Sequence, residues 1–295
     1  MNGGPTLQPH LTFLGFGFVA KALTRALDGQ NFRLSAIVRT RRADEEARFP
    51  QVKFLDWTTG TDPAITAAIS GSNHIVSSVP PRKEGDPAMQ LLAPLLDKLP
   101  ALKWLALLAT TGPYGDRGGA WVDETAKIAP DHIRASLRAR QELDWLDLGQ
   151  KKALPVHIFR LSGIYGPGRS AFDKLRRGSA RRIIKRDQVF SRIHVDDIAQ
   201  TLIASMARPN PGAIYNLADD LPAPPQDVIE FAANLLGLPV PPDEDFATAE
   251  ISPMARSFYA DNRRVANAKI KSELGIRLRY PDYKTGLRAI LAQES

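Results

Sequence analysis

Three small residues near the amino end, Gly15, Gly17 and Ala20, suggest the first chemistry, which is the binding of linked phosphates. They follow the apolar run Leu11–Leu14 with the spacing Gly-x-Gly-x-x-Ala, and a helical pattern comes after them. In such a turn the first glycine permits the bend, the second lets the backbone approach a dinucleotide pyrophosphate, and the helix N-terminus faces the anion. Glycines after apolar runs also make ordinary turns, so that alternative stays open. The predicted cofactor contacts of this loop are Gly15, Phe16, Gly17, Phe18 and Val19.

The end of the second predicted strand carries three arginines, Arg39, Arg41 and Arg42. An acidic side chain at this place would bond the ribose hydroxyls of NAD and would repel the 2′-phosphate of NADP. Guanidinium groups instead grip a phosphate through paired donors. We therefore predict NADP as the cofactor, with NAD as the second choice, and contacts from Arg39, Thr40 and Arg41. A basic loop that binds no ligand is the alternative interpretation.

Further cofactor contacts are predicted where other strands end, because ligands of open parallel sheets bind at the carboxyl ends of the strands. Asp56 ends the third predicted strand, where it could reach an adenine amino group or cap the segment that follows. The remaining members of the predicted set, from the ends of the fourth and sixth strands, are Ser77, Val79, Pro80, Ser162 and Gly163.

Strand-like and helix-like segments alternate along the first 165 residues. The predicted strands are Leu11–Leu14, Arg33–Val38, Val52–Leu55, His74–Ser78, Trp104–Ala109 and Val156–Leu161. Helical patterns lie between them at Ala20–Leu27, Asp62–Ser70, Met89–Leu96 and Ala135–Leu148. Such alternation builds a parallel sheet covered on both faces. We therefore predict an α/β fold with a Rossmann-type doubly wound parallel sheet, and a dinucleotide-binding domain at residues 1–165.

The pattern changes after Gly168, and residues 166–295 are predicted as a mixed C-terminal region that returns strands to the sheet and forms a smaller substrate lobe. A basic amphipathic stretch, Lys174–Arg186, opens this region and could hold an anionic substrate or form a solvated helix face. The predicted strands of the region are Val189–Val195 and Ala213–Leu217. Its predicted helices are Asp196–Met206, Gln226–Leu236, Arg263–Leu274 and Tyr283–Ala292.

Composition limits the class of protein. The chain has 295 residues, of which 43% are hydrophobic and 24% charged, as in ordinary globular proteins. It has no cysteine, which excludes disulfides, thiolate nucleophiles and cysteine-bound metals, and no metal site is predicted. No apolar run is long enough to span a membrane, and the first ten residues lack the pattern of a signal peptide. A cytoplasmic location is therefore expected.

The net charge of +7 raises the question of nucleic-acid binding. The basic clusters Arg39–Arg42 and Lys174–Arg186 contain no interleaved aromatic residues and match no recognised nucleic-acid module. We therefore expect neither a nucleic-acid nor a membrane partner, but an anionic small-molecule substrate, whose binding explains part of the excess charge. The chain is expected to act as a monomer or a homodimer.

Several motifs in the same order resemble those of the extended short-chain dehydrogenase/reductase superfamily, of the NAD-dependent epimerase/dehydratase type. Besides the glycine loop, they are Ala109–Gly115, Arg160–Gly168, Arg192–Asp197 and Tyr215–Ala218. The resemblance extends over nearly the whole chain. The resemblance implies a tyrosine and, four residues later, a lysine on the helix after the fifth strand. In the superfamily the tyrosine is the general acid or base beside hydride transfer, the lysine lowers its pKa and holds the ribose, and a fifth-strand Ser or Thr bonds the substrate.

The chain retains the threonine of that site but not the tyrosine–lysine pair. Thr110 lies four residues before Tyr114, which is the matching spacing. If Glu142 corresponds to the superfamily's helix glutamate, Arg134 and Arg138 occupy the tyrosine and lysine positions. Arginine stays protonated and is a poor general base, so the chain resembles the atypical subgroup that lacks the pair. Arg138 could hold the nicotinamide ribose or a phosphate, and Arg134 could stabilise developing negative charge or bind a carboxylate. The predicted catalytic residues are Thr110, Arg134, Arg138 and Tyr114.

Two functions remain open at this point. The first is an NAD(P)-binding protein of the epimerase/dehydratase or oxidoreductase kind that acts on an anionic small molecule, for which a nucleotide sugar is one candidate. The second is a non-catalytic NADP-binding sensor or regulatory protein. Tyr114 and Tyr165 could supply a missing acid or base, or could be packed aromatics. His194 is expected to be structural, and Asp196 and Asp197 are expected to cap the following helix.

Overall fold

A seven-stranded parallel sheet forms the centre of the fold in the computed structural model, which describes residues 8–57 and 62–294. The strands are β1 (His10–Leu14), β2 (Arg33–Val38), β3 (Val52–Asp56), β4 (His74–Ser77), β5 (Trp104–Thr110), β6 (Trp121–Val122), β7 (Val156–Leu161), β8 (Gly163–Tyr165), β9 (Arg182–Ile184), β10 (Arg192–His194), β11 (Ile214–Leu217), β12 (Asp243–Asp245) and β13 (Arg264–Val265). The order across the sheet is β11-β7-β5-β4-β1-β2-β3, and the short strands pair as β10–β8, β12–β9 and β13–β6.

Helices connect most of these strands. They are α1 (Phe18–Ala26), α2 (Ala43–Arg48), α3 (Pro63–Ser70), α4 (Pro87–Leu92), α5 (Ile133–Lys152), α6 (Ala171–Arg176), α7 (Val195–Ala207), α8 (Pro225–Leu236), α9 (Pro253–Ala260), α10 (Ala268–Leu274) and α11 (Tyr283–Glu294). Short 3₁₀ helices span Ala93–Lys98 and Gly112–Tyr114. Among the described residues, no helix combines the length and the apolar character needed to cross a membrane.

The register of β1 explains where the sheet can bind a ligand. Leu14, the last residue of β1, lies beside Ile37 of β2 and Ser77 of β4. The chain proceeds outward from β1 to β2 and β3 on one side and to β4 and β5 on the other, so the strand order reverses at β1. Ligands of open α/β sheets bind at such a reversal, outside the carboxyl ends of the strands. The predicted Rossmann-type doubly wound sheet is confirmed.

The central strands are buried along nearly their whole length. Every residue of β1 is buried, and so are the first six of the seven residues of β5. A strand covered on both faces is rich in apolar residues, whereas a strand with one wet face alternates. The buried polar side chains of β1 are hydrogen-bonded, His10 to Ser35 and Thr12 to Ser72. Leu14, Leu105 and Trp145 are among the residues that join these strands to α5 in one hydrophobic core.

The described residues form two compact units. The first unit comprises the described part of Met1–Ala109 together with Leu137–Phe159 and Ala199–Ile214. The second unit comprises Thr110–Ser136, Arg160–Ile198 and the described part of Tyr215–Ser295. A separate core holds the second unit together, built around Phe172, Ile229 and Leu287.

Two sequence predictions for the second unit are wrong in part. Arg263–Leu274 is not one helix, because the amides of Arg264 and Ala266 donate to the carbonyls of Ala120 and Val122 and form β13 before α10 begins. The basic stretch Lys174–Arg186 is not one amphipathic helix either. Helix α6 ends at Arg176, Gly178 has a φ of +64°, and β9 then pairs with β12.

In the first unit, the predicted helix Met89–Leu96 is divided into α4 and a 3₁₀ segment that contains Pro94. A proline inside an α-helix removes one backbone donor and crowds the preceding turn, which accounts for the change of helix type. The prediction that the chain lacks a signal peptide concerns the first ten residues. Residues 1–7 of these lie outside the described part of the chain.

Candidate functional site

The turn between β1 and α1 has the backbone geometry expected of a phosphate-binding glycine loop, Gly15–Ala20. Gly15 has a φ of +85°, and a Cβ at this position would lie 2.9 Å from the Ser78 hydroxyl. Its amide donates to the Ile37 carbonyl over 2.9 Å, which fixes the turn to β2. Gly15 therefore meets two demands, a left-handed conformation and a close approach, that a larger residue would strain.

Gly17 leaves space in front of α1. It is exposed and is the N-cap of α1, and apart from its chain neighbours no atom in the described part of the chain lies within 4 Å of a Cβ built on it. No side chain of the described residues caps the helix at this end, and its first turn contains no acidic residue. The amides of a first helical turn lack partners within the helix and favour an anion. The loop therefore fits a pyrophosphate.

The other residues of the loop belong largely to the core. Phe16 is 7% exposed, and its ring packs edge-on against Phe13, Phe49 and Phe54 with centroids 5.0–5.5 Å apart. Val19 is buried and Phe18 is half-buried. Phe16 and Val19 could thus contribute backbone groups to a ligand, while their side chains hold the loop on the sheet.

The three arginines after β2 are not equivalent. Arg41 forms a two-pronged ion pair with Glu46, with nitrogen–oxygen distances of 2.7 and 2.9 Å. This contact lowers the pKa of the Glu46 carboxyl and raises the pKa of Arg41. Arg42 pairs with Asp44 at 3.0 Å. Arg39 is exposed, as is Thr40, and makes no ion pair within the described part of the chain, so its guanidinium is the most available of the three.

The residues at the ends of β3 and β4 support the same edge of the sheet. The carboxylate of Asp56 accepts a hydrogen bond from the Arg41 amide over 3.1 Å, so it helps to fix the backbone of the segment after β2 that carries the three arginines. Ser77 is fully buried, and its hydroxyl accepts the Val79 amide at 3.4 Å. Val79 is half-buried and Pro80 is exposed. The segment after β4 therefore presents Val79 and Pro80, while the Ser77 hydroxyl is bonded within that segment and its cofactor contact stays a prediction.

Helix α5 carries the two arginines that stand at the tyrosine and lysine positions. Arg134 lies in its first turn and is exposed, and Arg138 lies one turn later and is half-buried. Arg138 Nη1 donates to Gln141 Oε1 over 3.1 Å. The guanidinium of Arg138 is thus held by its own helix, whereas Arg134 faces solvent.

Tyr114, in the second unit, lies inside a buried polar cluster. Its side chain is fully buried, its hydroxyl donates to Asn216 Oδ1 over 2.8 Å, and it accepts from Arg160 Nη1 over 2.8 Å. The Arg160 guanidinium also lies over the ring, 4.9 Å from its centroid. Burial raises the pKa of Tyr114, and Arg160 opposes that rise. A catalytic role for Tyr114 stays a prediction, but its hydroxyl already has two partners within the unit.

The remaining predicted residues of the second unit differ in accessibility. Thr110 ends β5 half-buried, and its hydroxyl accepts the Gly112 amide at 3.3 Å. Ser162 is 6% exposed, and its hydroxyl has no hydrogen-bond partner among the described residues. Gly163 is exposed and begins β8. A buried hydroxyl without a hydrogen-bond partner costs stability unless a ligand or a water molecule supplies one. Of these three residues, Ser162 is therefore the strongest candidate for a contact with a ligand.

The basic stretch after β8 is largely neutralised by its own unit. Arg176 pairs with Glu294 at 2.5 Å, and Arg182 pairs with Glu230 at 2.8 Å and also with Asp243. Arg181 pairs with Glu244. These ion pairs favour the interpretation of this stretch as surface structure over that of a phosphate grip.

Two further acidic residues and a histidine have structural roles. His194 Nδ1 accepts the Asp196 amide over 3.2 Å and so caps α7, which the sequence had assigned to Asp196 and Asp197. Asp197 instead accepts the amides of Arg279 and Tyr280 over 2.7 and 3.0 Å. The prediction that the two aspartates cap α7 is wrong, because both lie inside the first turn and the imidazole of His194, the residue before the helix, takes that place.

Sequence reasoning missed a buried polar network behind the segment after β4. Asp86 Oδ1 accepts the Ala88 amide over 2.8 Å and caps α4. Its Oδ2 accepts from Gln141 Nε2 at 2.8 Å and from Trp145 Nε1 at 2.6 Å. The dipeptide Asp86-Pro87 is a recognisable helix start, but nothing in the sequence indicates that α5 would bond to the cap.

Comparison with known proteins places the chain among proteins of the same fold. A conserved protein of unknown function from Silicibacter pomeroyi is 46% identical, with a TM-score of 0.89 over 97% of this chain and 99% of that one. A dTDP-glucose 4,6-dehydratase from Bacillus anthracis, solved with NAD, is 18% identical, with a TM-score of 0.77 over 97% and 96% of the two chains. A UDP-N-acetylglucosamine 4-epimerase from Methanobrevibacter ruminantium, solved with UDP-N-acetylmuramic acid, is 13% identical, with a TM-score of 0.75 over 97% and 99%.

Neither a protein-family model nor a curated protein matches the chain. The dehydratase and the epimerase share its fold, which supports the predicted architecture. The identity to the Silicibacter protein extends over almost the full length of both chains. This chain therefore belongs to the same family as the conserved Silicibacter pomeroyi protein.

Proposed function

We propose that the chain binds NADP, with NAD as the second choice, and acts as an epimerase/dehydratase-like or oxidoreductase-like protein on an anionic small molecule, for which a nucleotide sugar is the first candidate. The observation that carries this proposal is the glycine loop. Gly15 has the left-handed φ of a tight turn, and Gly17 leaves uncapped amides and open space at the start of α1. A side chain at Gly15 or at Gly17 would hinder binding of the dinucleotide pyrophosphate.

Several residues of the first unit would hold the cofactor. The amides of the glycine loop would bind the pyrophosphate, and Arg39 would bind the 2′-phosphate of NADP, because Arg41 and Arg42 are paired with carboxylates. Val79 and Pro80 would border the adenosine half. When bound, the nicotinamide supplies hydride transfer.

The predicted catalytic residues would bind and orient the substrate. Thr110 has a half-buried hydroxyl that could donate to a substrate oxygen. Arg134 is exposed and permanently charged, so it would stabilise negative charge on the substrate or bind a carboxylate. Arg138 would hold the ribose or a phosphate. None of these three groups is a general base near neutral pH, so their proposed roles are to bind and orient the substrate and to stabilise its charge, and the proton of a substrate hydroxyl would pass to water.

The substrate class follows from the charges and from the relatives. The epimerase of the same fold was solved with a UDP sugar derivative, and the dehydratase is named for a dTDP sugar. Anionic ligands of this kind agree with the exposed arginine at position 134 and with the net charge of +7. UDP- and dTDP-linked sugars are therefore the first substrates to test.

The experiment is a titration of the purified chain with NADPH and NADH, followed by the nicotinamide fluorescence, and then a screen for turnover with sugar nucleotides and simple ketones. We expect NADPH to bind more tightly than NADH, and at least one sugar nucleotide to be converted. Failure of both dinucleotides to bind would overturn the proposal.

A non-catalytic NADP sensor is the second candidate. The arginines at positions 134 and 138 and the buried, doubly bonded hydroxyl of Tyr114 favour it, because no accessible acid–base group is evident among them. Binding of NADPH without turnover of any substrate in the screen would support this candidate over the first.

A further inference from the structure

One side-chain amide in the first unit joins α5 to the segment after β4. Gln141 is 2% exposed, and its Nε2 donates to the Val79 carbonyl over 3.1 Å and to Asp86 Oδ2 over 2.8 Å. Its Oε1 accepts from Arg138 Nη1 over 3.1 Å. The amide uses its donors on one side and its acceptor on the other, so only one orientation satisfies all three partners.

Asp86 keeps Gln141 in place. One oxygen of this buried carboxylate accepts the amides of Ala88 and Met89 at the start of α4, at 2.8 and 3.4 Å. The other oxygen accepts from Gln141 and from Trp145 Nε1, and Trp145 is 1% exposed in the hydrophobic core. Hydrogen bonds to an ionised acceptor are stronger than neutral ones. The Gln141 amide is therefore anchored to both the core and the start of α4.

We propose that Gln141 is a positioning residue that sets Arg138 and the Val79 segment in a fixed relation for dinucleotide binding. The inference rests on the proposed function, in which Arg138 holds the nicotinamide ribose or a phosphate and Val79 borders the adenosine half. A long arginine side chain loses rotamer freedom when it is fixed. Because the bond to Gln141 already restricts the Arg138 side chain in the folded protein, Arg138 loses less rotamer freedom when the cofactor binds.

The first test replaces Gln141 with glutamate. Gln141→Glu keeps the shape and an acceptor for Arg138, but it removes both donor bonds and sets a carboxylate against Asp86. The matched control is Gln150→Glu, which makes the same change of charge at an exposed position of the same helix. We expect Gln141→Glu to raise the Kd for NADPH about tenfold and Gln150→Glu to change it less than about twofold, with folding checked by thermal unfolding.

The second test separates positioning from a general loss of stability. In a double-mutant cycle, Arg138→Ala and Gln141→Met are each expected to raise the Kd for NADPH about tenfold, and the double variant also only about tenfold, because Arg138 acts through the position that its bond to Gln141 sets. A double variant weakened about a hundredfold would mean that the two residues act independently, and would overturn the inference. If Gln141→Met does not fold, Gln141→Asn, whose amide is one methylene shorter, takes its place in the cycle.

Two other outcomes are decisive. An Arg138→Ala variant that binds NADPH as tightly as the unchanged chain overturns the inference, because nothing then needs positioning. An unchanged chain that binds neither dinucleotide overturns the proposed function itself, and is recognised before any variant is compared.

Discussion

The glycine loop of the first unit and the Thr110–Tyr114 segment of the second unit were both predicted from short motifs, but their polar groups are arranged in opposite ways. In the glycine loop, the first amides of α1 have no side-chain cap, and open space lies in front of Gly17. In the other segment, the Tyr114 hydroxyl is fully buried between Arg160 and Asn216. The first arrangement leaves donors available to a ligand, and the second uses its donors and acceptors internally.

The difference separates two kinds of sequence evidence. The glycine loop depends on backbone conformation, since Gly15 needs a φ of +85° and a close approach to Ser78, and few residues other than glycine permit both. The role of Tyr114 depends on its neighbours, which lie 46 and 102 residues away in the chain. A local motif can predict the backbone conformation of the glycine loop, but it cannot predict the distant neighbours of Tyr114. Cofactor binding is therefore better supported than acid–base catalysis by this tyrosine.

The largest expected effect is on the free energy of unfolding, through buried histidines of the first unit, which also contains the glycine loop. His10, His74 and His157 in the first unit are all buried, and burial lowers the pKa of each to about 4. Below pH 6.5 the unfolded chain binds protons that the folded chain does not, so stability is lost as the pH falls from 6.5 towards 4. Between pH 7 and pH 5 each histidine should reduce the free energy of unfolding by about 2 kcal/mol.

Urea unfolding at pH 7 and pH 5 measures this loss. His157 is the best single variant, because its Nε2 accepts the Asn210 amide over 2.9 Å, a bond that protonation breaks. The change between the two pH values should be about 2 kcal/mol smaller in His157→Gln than in the unchanged chain. Equal pH dependence in His157→Gln and the unchanged chain would contradict the assignment.

The second effect tests the loop itself. Gly17→Glu places a carboxylate where the pyrophosphate is proposed to lie, and we expect the Kd for NADPH to rise about a hundredfold or more, which is about 2.7 kcal/mol. The free energy of unfolding should change little, because nothing lies within 4 Å of a Cβ at Gly17. Gly17→Ala adds only that methyl group and serves as the graded comparison in the same fluorescence titration. Tight NADPH binding by Gly17→Glu would remove the loop from the site.

The third effect tests the Thr110–Tyr114 segment, in which the Tyr114 hydroxyl is bonded internally. Tyr114→Phe removes one hydroxyl and leaves Asn216 Oδ1 and Arg160 Nη1 without that partner inside the second unit. We expect a loss of about 1–3 kcal/mol in the free energy of unfolding and less than a twofold change in the Kd for NADPH. If stability is unchanged but turnover of a confirmed substrate is lost, Tyr114 is catalytic and the contrast between the two regions fails.

Local patterns explain how much of the fold could be predicted. The segments Arg33–Val38 and Val156–Leu161 form strands with the predicted bounds, because mostly apolar segments that alternate with helical patterns favour buried parallel strands. The pairing of β13 with β6 could not be predicted, since it depends on amides of Arg264 and Ala266 that meet carbonyls far away in the sequence.

The candidate site shows the same limit. The glycine spacing and the arginines after β2 are local signals, and the structure gives the glycines the expected conformation. The bonds of Gln141 to Val79 and Asp86 join residues 62 and 55 positions apart. Such contacts depend on how α5 packs against the sheet, which hydrophobic periodicity does not specify.

The smallest expected effect refines the cofactor side of the comparison. Arg39 is exposed and makes no ion pair within the described residues, whereas Arg42 is paired with Asp44 at 3.0 Å. Arg39→Asp should therefore raise the Kd for NADPH relative to that for NADH about tenfold, by removing a phosphate partner and adding a like charge. Arg42→Asp, which makes the same change of charge three residues later, should alter this ratio less than about threefold. If the two variants shift the ratio equally, the arginines act through their summed field, and no single guanidinium reads the 2′-phosphate.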